Sequence, residues 1–327
     1  MTMRATFGAL AALLGLLLTA TPAVRAQDTW QPTRPVRIVV PFPPGGISDG
    51  LARLFAERTA SRLGQPIVVE NRSGANGAVA GEFITRAAPD GYSYIMLSPS
   101  HLMVLPVLMR LPYEPMTDLV PAVNLAANPF FLGVPRASPL QNLGDLIAAA
   151  RARPGGLDYA SGGAGSGTHL VVIFLSLRAG IDMQHIPYRG GALAVQDLIA
   201  GRTAAYFGNP SDMAPFLGSG EVRIIATSGA ARSAMAPDVP TVAEQGFPGF
   251  RFETWNGLLA PKGTPAAAIA RMAAAVREAC GDEQVRAGLR RLGTEPVCNT
   301  TAEFAAQMQA EAPVWRDVVQ RSGVRLQ

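Results

Sequence analysis

Residues 36–53 read VRIVVPFPPGGISDGLAR. The β-branched run at 36–40 predicts a strand, and Leu51, Leu54 and Phe55 share one face of a predicted helix over 49–63 that stops at Gly64. Between strand and helix stand Pro43, Pro44, Gly45 and Gly46, more than an ordinary connection needs. The prolines hold the backbone extended, and the glycines carry no Cβ to keep a guest away from the main-chain N–H groups. Those N–H groups, together with the positive end of the following helix, make an anion site that needs no arginine. The plain alternative is a tight turn with no ligand.

Outward from this stretch the chain alternates. A strand is predicted over 66–70, a helix over 77–87, and a strand over 92–97 after the turn Pro89-Asp90-Gly91. This βαβαβ order implies an α/β fold with a parallel sheet covered on both faces. The pattern then restarts, with strands over 130–134, 157–160, 184–187, 204–207 and 222–227 and helices over 143–153, 168–178 and 192–200. The tail is predicted helical over 265–279, 283–292 and 301–321. Pro- and Asn-rich crossings near 126–129 and 248–254 separate the sets. Two crossings place the second set as an insertion in the first, so the expected organisation is 27–127 plus 251–327 as one domain and 128–250 as the other.

The chain has 327 residues, 48% hydrophobic and 16% charged, which is long enough for one large domain or two of moderate size. Residues 1–26 read as an export signal: Arg4, an apolar run over 7–18, and a small-residue cleavage site at Val24-Arg25-Ala26. The run is too short for a membrane span. Cleavage before Gln27 removes Arg4 and Arg25 and takes the formal charge from +4 to +2. A balance so near neutral, with no basic block, argues against nucleic acid. Cys280 and Cys298 are the only cysteines. They lack the spacing of a redox motif or the neighbours of a zinc site, and whether they pair or remain thiols is left open.

In open parallel sheets ligands bind beyond the carboxyl ends of the strands. Besides Gly45, Gly46, Ile47, Ser48 and Asp49, three further segments would meet there. The first is SGGAGSGTH at 161–169, where Gly165, Ser166, Gly167 and Thr168 lead into a helix and offer hydroxyl donors. It lacks the lysine of a G-x-x-x-x-G-K-[ST] loop and the G-x-G-x-x-G spacing, so nucleotide binding is not indicated. The others are 188–191, with Tyr188 and Arg189 before two glycines, and 98–101, which starts at Ser98 after the third strand. No catalytic residue is assigned. The three histidines, His101, His169 and His185, show no metal-binding spacing. Ser166 is not in a G-x-S-x-G elbow, and its spacing to His169 suits capping. His185 reads as structural. No cofactor and no metal are expected.

These residues closely resemble the Bug family, the periplasmic receptors of tripartite tricarboxylate transporters. The resemblance lies in RPVRIVVPFPPGGISDGLAR (34–53), GQPIVVENRSGANGAVAG (64–81), APDGYSYIML (88–97), HIPYRGGALAVQDLIAG (185–201), RSAMAPDVPTVAEQGFPGF (232–250) and WNGLLAPKGTPAA (255–267), in family order. Arg189 stands where the family pattern suggests Lys, and Gly167 where a hydroxyl residue is common. The resemblance implies a two-domain solute-binding fold of the type II, Venus-flytrap kind, with a parallel-rich sheet in each domain. It implies a small carboxylate held in the interdomain cleft, partly through water, and delivery to the membrane subunits of a transporter by a monomeric periplasmic protein. The ligand-binding candidates it carries over are Gly45, Gly46, Ser48, Asp49, Gly165, Ser166, Thr168 and Tyr188, with Asp49 orienting water or backbone donors. A sensor presenting its closed form to a signalling partner uses the same chemistry. A periplasmic hydrolase ranks lower, for want of a base–nucleophile pair.

Overall fold

The computed structural model describes residues 30–216 and 218–324. The export signal read from residues 1–26 lies outside the described residues. Strands β1 (Val36–Val40), β2 (Ile67–Asn71) and β3 (Ser93–Leu97) alternate with helices α1 (Ile47–Leu63) and α2 (Ala78–Thr85). Two longer strands, β4 (Leu119–Pro129) and β10 (Glu253–Pro261), and the short β11 (Glu295–Pro296) complete a first sheet in the order β11-β4-β10-β3-β1-β2. The second sheet, β7-β6-β8-β5-β9, is built from β5 (Phe131–Pro135), β6 (Asp158–Ser161), β7 (Gln184–Pro187), β8 (Ala205–Gly208) and β9 (Val222–Thr227). Helices α3 (Leu143–Ala152), α4 (Gly167–Ala179) and α5 (Gly191–Ile199) belong to this second set. Helices α6 (Ala266–Ala279), α7 (Glu283–Arg291) and α8 (Thr301–Ser322) follow β10.

The expected parallel cores are present, β2-β1-β3 in one sheet and β7-β6-β8 in the other. Antiparallel strands extend both: β10 pairs with β3 and β4, and β5 with β8 and β9. Both sheets are therefore mixed. The segments read as loop-like crossings at 126–129 and 248–254 correspond in part to the end of β4 and the start of β10. Their Pro and Asn content argues against strand by propensity, but β4 is paired on both sides, by β10 and β11, and tertiary pairing overrides propensity. Pro121 sits at a register shift in the β4–β10 ladder, a place where a missing N–H does little harm.

The chain passes from one sheet to the other through the single residue Phe130 and returns over 228–252. Ser228, fully buried, ties the two passages together. Its hydroxyl donates to the Phe252 carbonyl (2.6 Å) and accepts from the Phe130 N–H (2.8 Å). Its own N–H reaches the Phe130 carbonyl, and its carbonyl accepts from the Phe252 N–H. An apolar core that includes Leu97, Phe130, Phe207, Trp255 and Trp315 runs across both sheets. Helix α8 lies against β4 and against α4, with Trp315 packed 4.3 Å from the Phe252 ring. Cys280, at the end of α6, is disulfide-bonded to Cys298, which answers the question left open by the sequence.

Candidate functional site

The carboxyl ends of β1, β2, β3 and β6 converge on one cavity of about 370 Å³. Phe42 enters it from the turn after β1, Asn76 from the loop after β2, and Ser100 and His101 from the segment after β3. That segment winds into a π-helical turn (Ser100–Val104) and a short α-helix (Leu105–Leu108), which add Val104, Leu105 and Leu108 to the wall. From the second sheet come residues 162–166, the loop between β6 and α4, and Val324 follows the end of α8. A site fed by strand ends from two sheets is where an open α/β protein places a ligand.

The glycine-rich loop after β6 is held by its own side chains. Ser166 caps α4, its hydroxyl accepting from the His169 N–H (3.3 Å) while donating to the Gly163 carbonyl (2.7 Å). The Thr168 hydroxyl lies 2.8 Å from that of Ser166 and accepts from the Gly162 N–H. Gly163 N–H donates to Ser161 Oγ, and Gly165 N–H donates to His169 Nδ1 (3.1 Å). Gly165 has φ +77°, a region that favours glycine. The N–H groups of His169 and Leu170 go to Ser166, so the N–H groups of Gly167 and Thr168, with the helix dipole, are what the start of α4 offers a ligand. The Ser166 hydroxyl proton, expected from the sequence to face a ligand, is committed to Gly163.

Behind the loop the histidines form a stack. The rings of His169 and His185 lie 3.9 Å apart, Tyr159 stacks on both, and His185 Nε2 is 2.6 Å from the hydroxyl of Ser161. Burial, and for His169 the neighbouring imidazole, lowers both pKa values, that of His169 to about 4. Burial also holds His101 at about 4. No imidazole in or behind the cavity is therefore charged near neutrality. Ser161 is fully buried, so its contact with His185 is structural.

The first loop sits beside the cavity. Gly45 (φ +93°) donates its N–H to Asp49 Oδ2 (3.0 Å), and exposed Gly46 is the N-cap of α1. Ile47 is half-buried, and the Ser48 hydroxyl donates to Asn256 Oδ1 (2.7 Å), next to a register shift in β10. Burial raises the Asp49 carboxyl, but bonds from Arg53, Gly45 N–H and Asn71 outweigh it and hold the pKa at about 2. Asp49 thus fixes the backbone of its own loop.

Of the residues predicted from sequence, Gly165 and Ser166 line the cavity. Gly167 and Thr168 follow directly in the first turn of α4, and Ser98 hydrogen-bonds His101 Nδ1 (2.9 Å). Gly45, Gly46, Ile47, Ser48 and Asp49 are not in the lining, nor are Tyr188, whose hydroxyl donates to Asp197 (2.7 Å), and Arg189, which is exposed. The segment 98–101, expected from the sequence at a strand end, brings Ser100 and His101 to the wall, whereas Phe42, Asn76, Val104, Leu105, Leu108 and Val324 were not expected there. The sequence signal was the turn composition Gly74-Ala75-Asn76-Gly77; in the structure Ala75 and Asn76 both adopt positive φ there, and strained backbone clusters at functional sites. Gly77 is required there, since a Cβ would lie 2.5 Å from His101 Cδ2.

Among the described residues no group of three or more His, Cys, Asp or Glu is placed to hold a metal. Among them, too, no helix is long and apolar enough to cross a membrane.

Residues 51–324 match the family model described as the tripartite tricarboxylate transporter family receptor, TctC. BugT of Bordetella pertussis is 35% identical over 322 residues, covering 97% of this chain and 98% of BugT. Among solved structures, a TctC solute-binding protein from Polaromonas superposes with a TM-score of 0.83 at 26% identity, covering 89% of this chain and 99% of that one. An R. palustris protein solved with adipate gives a TM-score of 0.70 at 33% identity, covering 90% of this chain and 99% of that one. The two mixed sheets are the fold of these binding proteins, and with matches of this extent the chain belongs to the Bug family of tripartite tricarboxylate transporter receptors.

Proposed function

We propose that this protein is an exported receptor that captures a small organic carboxylate between its two sheets and delivers it to the membrane subunits of a tripartite tricarboxylate-type transporter. The observation that carries the reading is the cavity itself. It is bounded by strand ends of both sheets, and a glycine loop and helix N-terminus from the second sheet open onto it. Such N–H groups hold a carboxylate by charge-assisted hydrogen bonds. The adipate complex of the R. palustris relative supports a carboxylate as cargo. In this reading residues 1–26 are removed on export, 27–127 plus 251–327 form one lobe, 128–250 the other, and the Ser228-tied passages are the hinge. The direct ligand contacts are the first turn of α4 and residues 45–49 of the first loop, with Tyr188, Arg189 and Ser98 at the margin. The protein performs no chemistry on its cargo: the Ser166 hydroxyl is bound to the loop backbone, and the serine that meets an imidazole behind the loop, Ser161, is buried.

The test is native mass spectrometry of freshly purified periplasmic protein, followed by calorimetric titration with the acid that is released. Recovery of an organic acid that rebinds, with compaction in small-angle scattering, is the expected result. A protein that retains no acid and binds none from a panel of aliphatic, hydroxy and aromatic acids would overturn the reading.

A further inference from the structure

The described lining of the cavity contains no Arg, Lys, Asp or Glu. Its one titratable side chain is His101, buried and with Nδ1 already engaged by Ser98. The polar elements are the 162–166 loop, Asn76 and Ser100. The rest of the wall is apolar: Phe42, Val104, Leu105, Leu108 and Val324. Phe42 is held edge-on to the His101 ring at 5.1 Å, yet it remains 39% exposed, a large aromatic face left open at the mouth of a cavity.

We propose that this site selects acids with a single carboxylate and an apolar body, an alkyl chain or an aromatic ring, over acids with two or three carboxylates. The inference rests on the cavity being a carboxylate site and specifies which carboxylates fit. The N-terminus of α4 with its glycine loop, and that of α1 beside it, close on the same carboxylate from two sides. A second would lie against the leucine and valine side chains with no counter-ion. The segment carrying them offers few free donors at its start, because the N–H groups of His101 and Leu102 both go to the Ser98 carbonyl. Burying an unpaired charge there costs several kcal/mol, whereas an alkyl or aryl group in the same place gains by leaving water. A volume of about 370 Å³ has room for a ring or a short chain. Asn76 and Ser100 are left to hydrogen-bond a neutral substituent such as a hydroxyl or keto group.

The experiment is calorimetric titration of the mature protein, freed of bound acid, with matched pairs: hexanoate against adipate, benzoate against terephthalate, and citrate as the three-headed case. The expected result is that each monoacid binds at least about tenfold more tightly than its diacid, and citrate most weakly. Diacids or citrate binding as tightly as the monoacids would overturn the inference while leaving the carboxylate reading standing. Binding of no acid at all would overturn both. Leu108→Arg, which places a cation in the apolar wall, is expected to shift the hexanoate-to-adipate ratio about tenfold toward adipate. An unchanged ratio in a variant of wild-type melting temperature would count against the wall as the selective element.

Discussion

The rings of His169 and His185 stack at 3.9 Å with their planes 13° apart, and each is wired to the candidate binding loop, His169 through the Gly165 N–H and His185 through the hydroxyl of Ser161. Two imidazoles so close tolerate a charge poorly. His169 and His101 are depressed to about 4, and burial lowers His185 as well. The unfolded chain, with histidines near 6.5, therefore binds more protons than the native protein below that pH. Stability is fully present above about pH 6.5 and is lost as the pH falls toward 4. The expected outcome is a drop of several kcal/mol between pH 7 and pH 4 in urea titrations. His185→Phe, which keeps a ring in the stack but cannot be protonated, should flatten part of that drop. A wild-type midpoint constant over this range would contradict the account.

The Cys280–Cys298 bond joins the end of α6 to the segment that feeds α8, across a separation of 18 residues. Closing a loop of this size restrains the unfolded chain and is worth ~3 kcal/mol in the entropy model. The double variant Cys280→Ser, Cys298→Ser should melt at lower temperature, and alkylation of the unfolded, unreduced wild type should label neither sulfur. Labelling of both would show that the bond does not form in solution.

Ser228 should matter out of proportion to its size. Substitution by Ala leaves the buried Phe252 carbonyl without that donor and the Phe130 N–H without its acceptor, a loss of about 1–3 kcal/mol. Ser228→Ala is expected to lower the urea midpoint. Because both passages between the sheets lose a common tie, it should also broaden the open ensemble in small-angle scattering of the ligand-free protein. A variant identical to wild type in both measurements would remove Ser228 from the proposed hinge.

The parts of this molecule legible in its sequence are those where local and global preferences agree. β1 and β9 coincide with the apolar, β-branched runs that predicted them, and α4 begins where Ser166 was expected to cap. β4 was not legible, since LVPAVNLAANP holds prolines and asparagines whose strand conformation comes from partners far away in sequence. The cavity was half legible. Its glycine loop announces itself by composition. Val104, Leu105 and Leu108 read as one more apolar run, and only the packing of the segment after β3 shows that they face an open space.

Substitutions at Gly46 and Ser166 separate the two loops. Gly46 adopts φ −79° and ψ 173°, an ordinary extended conformation, and a Cβ there meets nothing within 4 Å. Gly46→Val should therefore change stability by less than about 1 kcal/mol, the scale of an N-cap effect, while blocking approach to the first-turn N–H groups of α1. Ser166→Ala is different in kind. It removes the cap of α4 and the anchor of the Gly163 carbonyl, so it should lower stability by about 1 kcal/mol and weaken binding by loosening the loop. Ser166→Thr keeps the hydroxyl and should restore both. If α1 contributes to the site, titration with the identified acid will show Gly46→Val weakened by about tenfold or more at unchanged melting temperature. If Gly46→Val binds as wild type does and Ser166→Ala alone is impaired, the carboxylate is held by α4, and Pro43–Gly46 serve only to turn the chain.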